Sequence, residues 1–124
     1  MSRTHIYFFK PKFVTLITTG QKNQTIRPYR KIMPKAGDLA DLREWEGRPY
    51  HSAQRKILQA PIKLIQDIEI DPLAHTIKLN GETLLDGAVD YLARNDGFFP
   101  VASFFDFFRQ QYGPKLFQGF ITYW

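Results

Sequence analysis

The chain has 124 residues, 44% of them hydrophobic and 23% charged, with a formal net charge of +5 and no cysteine. That length sets a single domain, residues 1–124, large enough to bury roughly two thirds of its unfolded surface in a core of its own. The missing cysteines exclude a disulfide framework and a thiolate zinc site, and no apolar run approaches the ~18 residues of a membrane span.

Ile6-Tyr7-Phe8-Phe9 is too short for the apolar segment of a secretory leader and runs straight into Lys10-Pro11-Lys12, so the expectation is a soluble, cytoplasmic protein. The charge is unevenly spread. Residues 1–37 carry Arg3, Lys10, Lys12, Lys22, Arg27, Arg30, Lys31 and Lys35 with no acidic residue, whereas the remainder holds nine basic and twelve acidic residues. A basic third on a mildly acidic body points to an anionic partner, nucleic acid or a nucleotide; the same pattern also reads as a solvated lysine-rich face.

In chain order, His5 to Phe9 is β-branched and aromatic and predicts a first strand. Pro11 then opens a helix carrying Phe13, Leu16 and Ile17 at i, i+3 and i+4, and Gly20 stands at its C-terminal cap. Gln24 to Tyr29 is extended. A basic loop punctuated by Pro34 and Gly37 follows, and Asp38 to Trp45 resumes as a strand. Gly47 to Ser52 is a polar connection.

Arg55 to Ile70 predicts a long strand or a bent pair around Pro61, with Ile62, Leu64, Ile68 and Ile70 on one face. Asn80-Gly81 between Ile77-Lys78-Leu79 and Glu82-Thr83-Leu84 predicts a type I′ hairpin, because both turn residues tolerate positive φ. Asp86 is placed to cap a helix with Val89, Leu92 and Ala93, which Asn95-Asp96-Gly97 ends. Pro100 starts a second helix rich in phenylalanine, stopped by Gly113-Pro114, and Phe117 to Trp124 closes the chain as a strand. Together these give an α+β domain on a mostly antiparallel sheet or small β-barrel.

Polar chemistry concentrates in Gly20-Gln21-Lys22-Asn23-Gln24-Thr25-Ile26-Arg27. Thr25 and Arg27 share a face of an extended run, and Lys22 joins them only if the chain bends after Gly20. A hydroxyl becomes a nucleophile when a base takes its proton, and a lysine serves as that base when burial or a nearby cation lowers its pKa. Arg27, with Arg30, would be that cation and would also hold an oxyanion or phosphate. Asp96 is a carboxylate able to orient the lysine or transfer a proton. Trp45 and Tyr50, with Tyr29, offer faces for stacking on a base, and Arg48 and Arg43 offer charge for a phosphate. Each also has an ordinary reading: strand threonine, turn lysine, turn aspartate, core aromatics. His5, His51 and His75 have no metal-ligand spacing, and no phosphate-binding loop or dinucleotide fingerprint is present, so neither a metal nor a cofactor is expected.

The ordered set Gly20-x-Lys22-x-x-Thr25-x-Arg27, Gly37-Asp38, Trp45-x-Gly47-x-Pro49-Tyr50, Asn80-Gly81, Asn95-Asp96-Gly97-Phe98 and Phe117-x-Gly119-x-Ile121-x-x-Trp124 resembles the ASCH domain family over nearly the whole chain. The resemblance implies a PUA-like β-barrel with flanking helices and a cleft at the Gly-x-Lys motif. It also implies RNA or a modified pyrimidine nucleoside as partner. One compact branch hydrolyses N(4)-acetylcytidine with a lysine, a threonine and a glutamate; Lys22 and Thr25 match the first two. Asp96 stands near the third with a shorter acid and a one-residue shift, and the chain is longer than that branch around Arg43 to Ser52. Another branch is linked to RNA binding and cleavage. The expected activity is therefore amide hydrolysis at an acylated cytosine, and the alternative is a non-catalytic or RNA-cleaving RNA-binding module.

Overall fold

The first two strand-forming runs, His5 to Phe9 and Gln24 to Tyr29, join different sheets, and everything that positions the pocket follows from how those sheets meet. The computed structural model describes residues 2–124. Its elements are β1 (Thr4–Phe8), a 3-10 turn (Pro11–Phe13) running into α1 (Val14–Thr18), β2 (Gln24–Pro28), β3 (Leu39–Trp45), β4 (Gln54–Pro61), β5 (Leu64–Asp71), β6 (Thr76–Leu79), β7 (Glu82–Thr83), α2 (Asp86–Asn95), α3 (Val101–Tyr112) and β8 (Phe117–Tyr123). One sheet has the order β1-β3-β4, with β1 and β3 parallel; the other is antiparallel throughout in the order β2-β8-β5-β6-β7. The fold is α+β, with two mostly antiparallel sheets and three helices.

Among the described residues no strand ladder joins the two sheets, so backbone bonding does not close a barrel. Where β1 and β2 approach, side chains span the gap instead. Alternate carbonyls of β1 point away from β3 and would be left without a partner. Arg27 Nη2 donates to Phe8 O at 2.6 Å and Arg30 Nη2 to Ile6 O at 3.1 Å. The Arg30 guanidinium also lies 4.2 Å from the Tyr7 ring centre. Tyr7 itself is fully buried and shares a 2.9 Å hydrogen bond with Thr122 of β8, a second tie between the sheets.

The core is aromatic. Phe104, Phe105 and Phe108 project from one side of α3 and are buried. Phe104 meets Phe98 edge-on at 5.6 Å, and Phe108 meets Phe117 at 5.1 Å. Such pairs add about 0.5–1.5 kcal/mol beyond the area they bury. At Gly119 the backbone of β2 and a ring of β8 leave no room for a side chain: a Cβ there would sit 2.2 Å from Arg27 O and 2.8 Å from the Phe117 ring. Only glycine fits between that backbone and that ring.

The predicted elements all form, with local differences. Of the two readings of Arg55 to Ile70, a long strand or a bent pair, the pair forms, as β4 and β5, broken at Ile62 and Lys63 just after Pro61. Alternation therefore does not carry across the break: Ile62, Ile68 and Ile70 are buried, but Leu64, at the start of β5, is 46% exposed. Asp86 is the first residue of α2 rather than its cap; Leu85 holds the cap position and no side chain bonds there. The hairpin turn has φ of 50° at Asn80 and 83° at Gly81, both positive as its sequence requires. Asp38 is buried and fastens the end of the basic loop, accepting from His5 Nε2 at 2.8 Å and from the Arg3 and Lys35 amides. Those bonds hold its carboxyl below the usual carboxylate range, the His5 bond most of all.

Candidate active site

The pocket begins with a bend. Helix α1 is short, Gly20 follows it with φ of 80°, and Lys22 N donates back to Leu16 O at 2.9 Å. This fold-back turns the Lys22 side chain inward before β2 begins, and only 3% of the residue remains exposed. The second half of the site arrives from α2. Asp96 N closes the helix on Leu92 O at 3.1 Å, and Gly97, with φ of 98°, sends the chain away. Lys22 Nζ then donates to the Asp96 carbonyl oxygen and lies 3.3 Å from Asp96 Oδ1. One amine thus engages both the backbone and the side chain of Asp96.

Burial dominates the chemistry of this pair. It pulls the Lys22 amine below its usual pKa, against the Asp96 carboxylate, which favours the cation; Arg27 and Lys12 add to the lowering. It also pushes the Asp96 carboxyl up, against Lys22 and Gln24, which favour the anion. Both shifts run toward the neutral forms, as desolvation requires. The Lys22 amine also lies 4.8 Å from the Phe13 ring centre, a contact that favours its cationic form.

Thr25, 3% exposed, and Arg27 line the same cavity. Arg27 Nε donates to Thr25 Oγ1 at 3.0 Å, so the threonine oxygen is an acceptor there and its own proton is free to be given elsewhere. No hydrogen bond joins Thr25 to Lys22 among the described residues. The Arg27 guanidinium stands 5.0 Å from the Phe9 ring centre, and burial lowers its pKa. The cavity is about 150 Å³, with Phe9, Phe13, Phe98 and Phe107 as walls and Lys10, Gln111 and Tyr112 also lining it.

Of the residues singled out in the sequence, Lys22, Thr25, Arg27 and Asp96 come together in this cavity. Arg30 does not line it and instead bridges to β1. Trp45, Arg48 and Tyr50 also lie outside it. Trp45 stacks on Phe8, a cavity-lining residue, at 4.5 Å and 4° between planes, and Tyr50 tilts against Trp45 at 5.2 Å. Tyr50 is 83% exposed, at a φ of 64° that a bulky residue rarely adopts, and Arg48 is exposed. Tyr29 packs on Phe120, donates to Asp67 at 2.7 Å and does not line the cavity.

Sequence reading missed Gln24. It is 1% exposed, and its Nε2 donates to Leu92 O at 3.2 Å and to Asp96 Oδ1 at 3.4 Å. It donates to the same carboxylate oxygen that faces Lys22. Period-two reasoning assigns Gln24 to the outer face of β2, but α2 covers that face, so residues 24, 25 and 26 are all buried. A glutamine inside a strand otherwise poor in solvent-facing residues was the available signal.

Among the described residues no group of three or more His, Cys, Asp or Glu side chains could hold a metal, and no helix is long and apolar enough to cross a membrane. No family profile, curated protein or solved structure matches this chain.

Proposed function

We propose that the chain is a PUA-like ASCH domain whose small cavity receives the acylated edge of a modified pyrimidine nucleoside, and that it hydrolyses N(4)-acetylcytidine to cytidine and acetate. The observation that carries this reading is the buried Lys22–Asp96 pair opening into one cavity with the Thr25 hydroxyl and the Arg27 guanidinium. The barrel character rests on the arginine and tyrosine ties that bridge the two sheets.

In this mechanism Thr25 Oγ attacks the acetyl carbonyl while its proton passes to a neutral Lys22 amine, which burial makes available. Arg27 stabilises the oxyanion as negative charge develops on the carbonyl oxygen. The C–N bond then breaks, and the Lys22 ammonium returns the proton to the departing cytosine nitrogen. Water attacks the threonine ester, giving acetate and regenerating the hydroxyl. Asp96, oriented by Gln24, holds the amine in place and sets its basicity. A 150 Å³ cavity is about half the lower bound of common ligand pockets, which suits an acetamide edge with the ring and ribose outside.

Incubating purified protein with N(4)-acetylcytidine and following cytidine release tests the reading. Turnover abolished by Thr25→Ala and by Lys22→Met is expected; no turnover at high enzyme concentration rejects it.

A second reading has its own observation. The Phe8–Trp45–Tyr50 ladder runs from a cavity wall to an exposed ring two residues from the exposed Arg48, which suits a base of single-stranded RNA stacked on Tyr50. A non-catalytic RNA module would bind with a log–log salt slope of about −0.7 per phosphate contact. Tyr50→Ala would weaken it without changing that slope.

A further inference from the structure

The Arg27 guanidinium is partly buried against aromatic rings, yet both of its protein hydrogen-bond partners, Thr25 Oγ1 and Phe8 O, are neutral. Among the described residues no carboxylate lies within ion-pair distance of it, although Lys22 beside it is matched by Asp96. The cavity therefore keeps one uncompensated positive charge, with Lys10 also lining it. A desolvated cation without a counter-ion is costly, and an anion that enters such a site is held far more strongly than at a solvated surface. Two bonds use two of the five guanidinium N–H groups, so donors remain for a ligand.

Size and lining decide which anion. A cavity of about 150 Å³ is the size that holds one benzene-sized molecule. Polar groups of Lys10, Lys22, Thr25, Gln111 and Tyr112 line part of it, while Phe13, Phe98 and Phe107 form an aromatic wall that offers no donors. A tetrahedral phosphate or sulfate carries oxygens on every side and would turn at least one to the aromatic wall, whereas a short monocarboxylate would turn its oxygens to Arg27 and its alkyl end to the phenyl groups. We infer that the cavity is a binding site for small aliphatic monocarboxylates, held by Arg27 with the alkyl end against Phe13 and Phe98. The site stands on its own geometry; that its occupant is also the reaction product, so that acetate restrains its own formation, rests on the deacetylation reading.

The test is a titration of the ¹⁵N-labelled wild-type protein with sodium acetate at constant ionic strength, maintained with sodium chloride, with propionate, pivalate and phosphate as further arms. Saturable amide shifts at Phe9, Thr25 and Arg27 with acetate and propionate, and none with pivalate or phosphate, are expected. Arg27→Gln should weaken acetate binding roughly ten- to a hundredfold, the range for lost charge-assisted bonds. Arg27→Lys, which keeps the charge but not the fork, should fall in between. Identical responses to all the salts, or acetate shifts undiminished in a folded Arg27→Gln protein, would overturn the inference; if neither variant folds, the wild-type selectivity series decides alone. Acetate binding without turnover leaves this site standing and rejects the hydrolase. Turnover without acetate binding does the reverse.

Discussion

Separating Lys22 from Asp96 should produce two variants with opposite pH dependence. The two groups lie 3.3 Å apart with 3% and 6% of their side chains exposed. At an effective dielectric of about 20 their attraction is about 5 kcal/mol. In Asp96→Asn, Lys22 either stays charged and forfeits that attraction or gives up its proton. From its ordinary 10.5, deprotonation at pH 7 costs about 5 kcal/mol, at roughly 1.4 kcal/mol per pH unit. In Lys22→Met, protonating Asp96 from its ordinary 3.8 costs about 4 kcal/mol at the same pH. Both figures are ceilings, and they agree with the 3–5 kcal/mol typical of a broken buried pair.

The signs differ. In Asp96→Asn the unfolded chain binds the proton that folded Lys22 lacks, so stability rises with pH up to 10.5, recovering about 3 kcal/mol between pH 7 and 9. In Lys22→Met the folded state keeps a proton that unfolded Asp96 has lost, so stability falls as pH rises, by about 3 kcal/mol from pH 5 to 7. In the wild type each partner opposes the other's shift, so the slope is shallower than in either single variant. The double variant Lys22→Met/Asp96→Asn should be flat. Urea unfolding of the four proteins from pH 5 to 9, followed by tryptophan fluorescence, measures this. Parallel pH profiles for the two single variants would refute the reasoning.

Activity should carry the same signature: the acidic limb of the deacetylation profile reports loss of the Lys22 proton, and Asp96→Asn, which removes the group favouring the cation, should move that limb to lower pH. Gln24→Leu frees Asp96 of one donor that favours its anion, so the Asp96 carboxyl should rise further and the Lys22→Met/Gln24→Leu protein should lose stability at higher pH than Lys22→Met alone. Gly119→Ala drives a methyl into Arg27 O and the Phe117 ring, and overpacking of this kind costs about 1–3 kcal/mol or more; thermal unfolding measures it, with acetate titration reporting any displacement of Arg27. Phe104→Ala removes a fully buried ring from α3 and should cost about 3–5 kcal/mol by urea unfolding.

Much of this architecture is written locally. Asn80-Gly81 determines its hairpin because both residues accept positive φ, and Gly20 permits the bend that buries Lys22. Spacing alone could bring Lys22, Thr25 and Arg27 near one another, and in the fold they do share a cavity. What the sequence left unreadable depends on packing between distant segments. Gln24 drew no notice because alternation cannot reveal that α2 covers the second face of β2. Leu64 looked buried because a break after Pro61 resets the register. Arg30 carried the right charge for a phosphate, but its place is set by an unpaired carbonyl of β1, a demand visible only once the sheets are formed. Trp45 and Tyr50 were recognisable as stacking residues, yet their connection to the cavity runs through Phe8, which no spacing rule links to them.

The account stands most directly on one measurement: mass spectrometry of the protein mixed with N(4)-acetylcytidine and quenched within the first turnovers. An added acetyl group on Thr25, absent from Thr25→Ala and accompanied by stoichiometric cytidine, is the predicted result. Intact substrate with unmodified protein, or cytidine release that persists in Thr25→Ala, would contradict it.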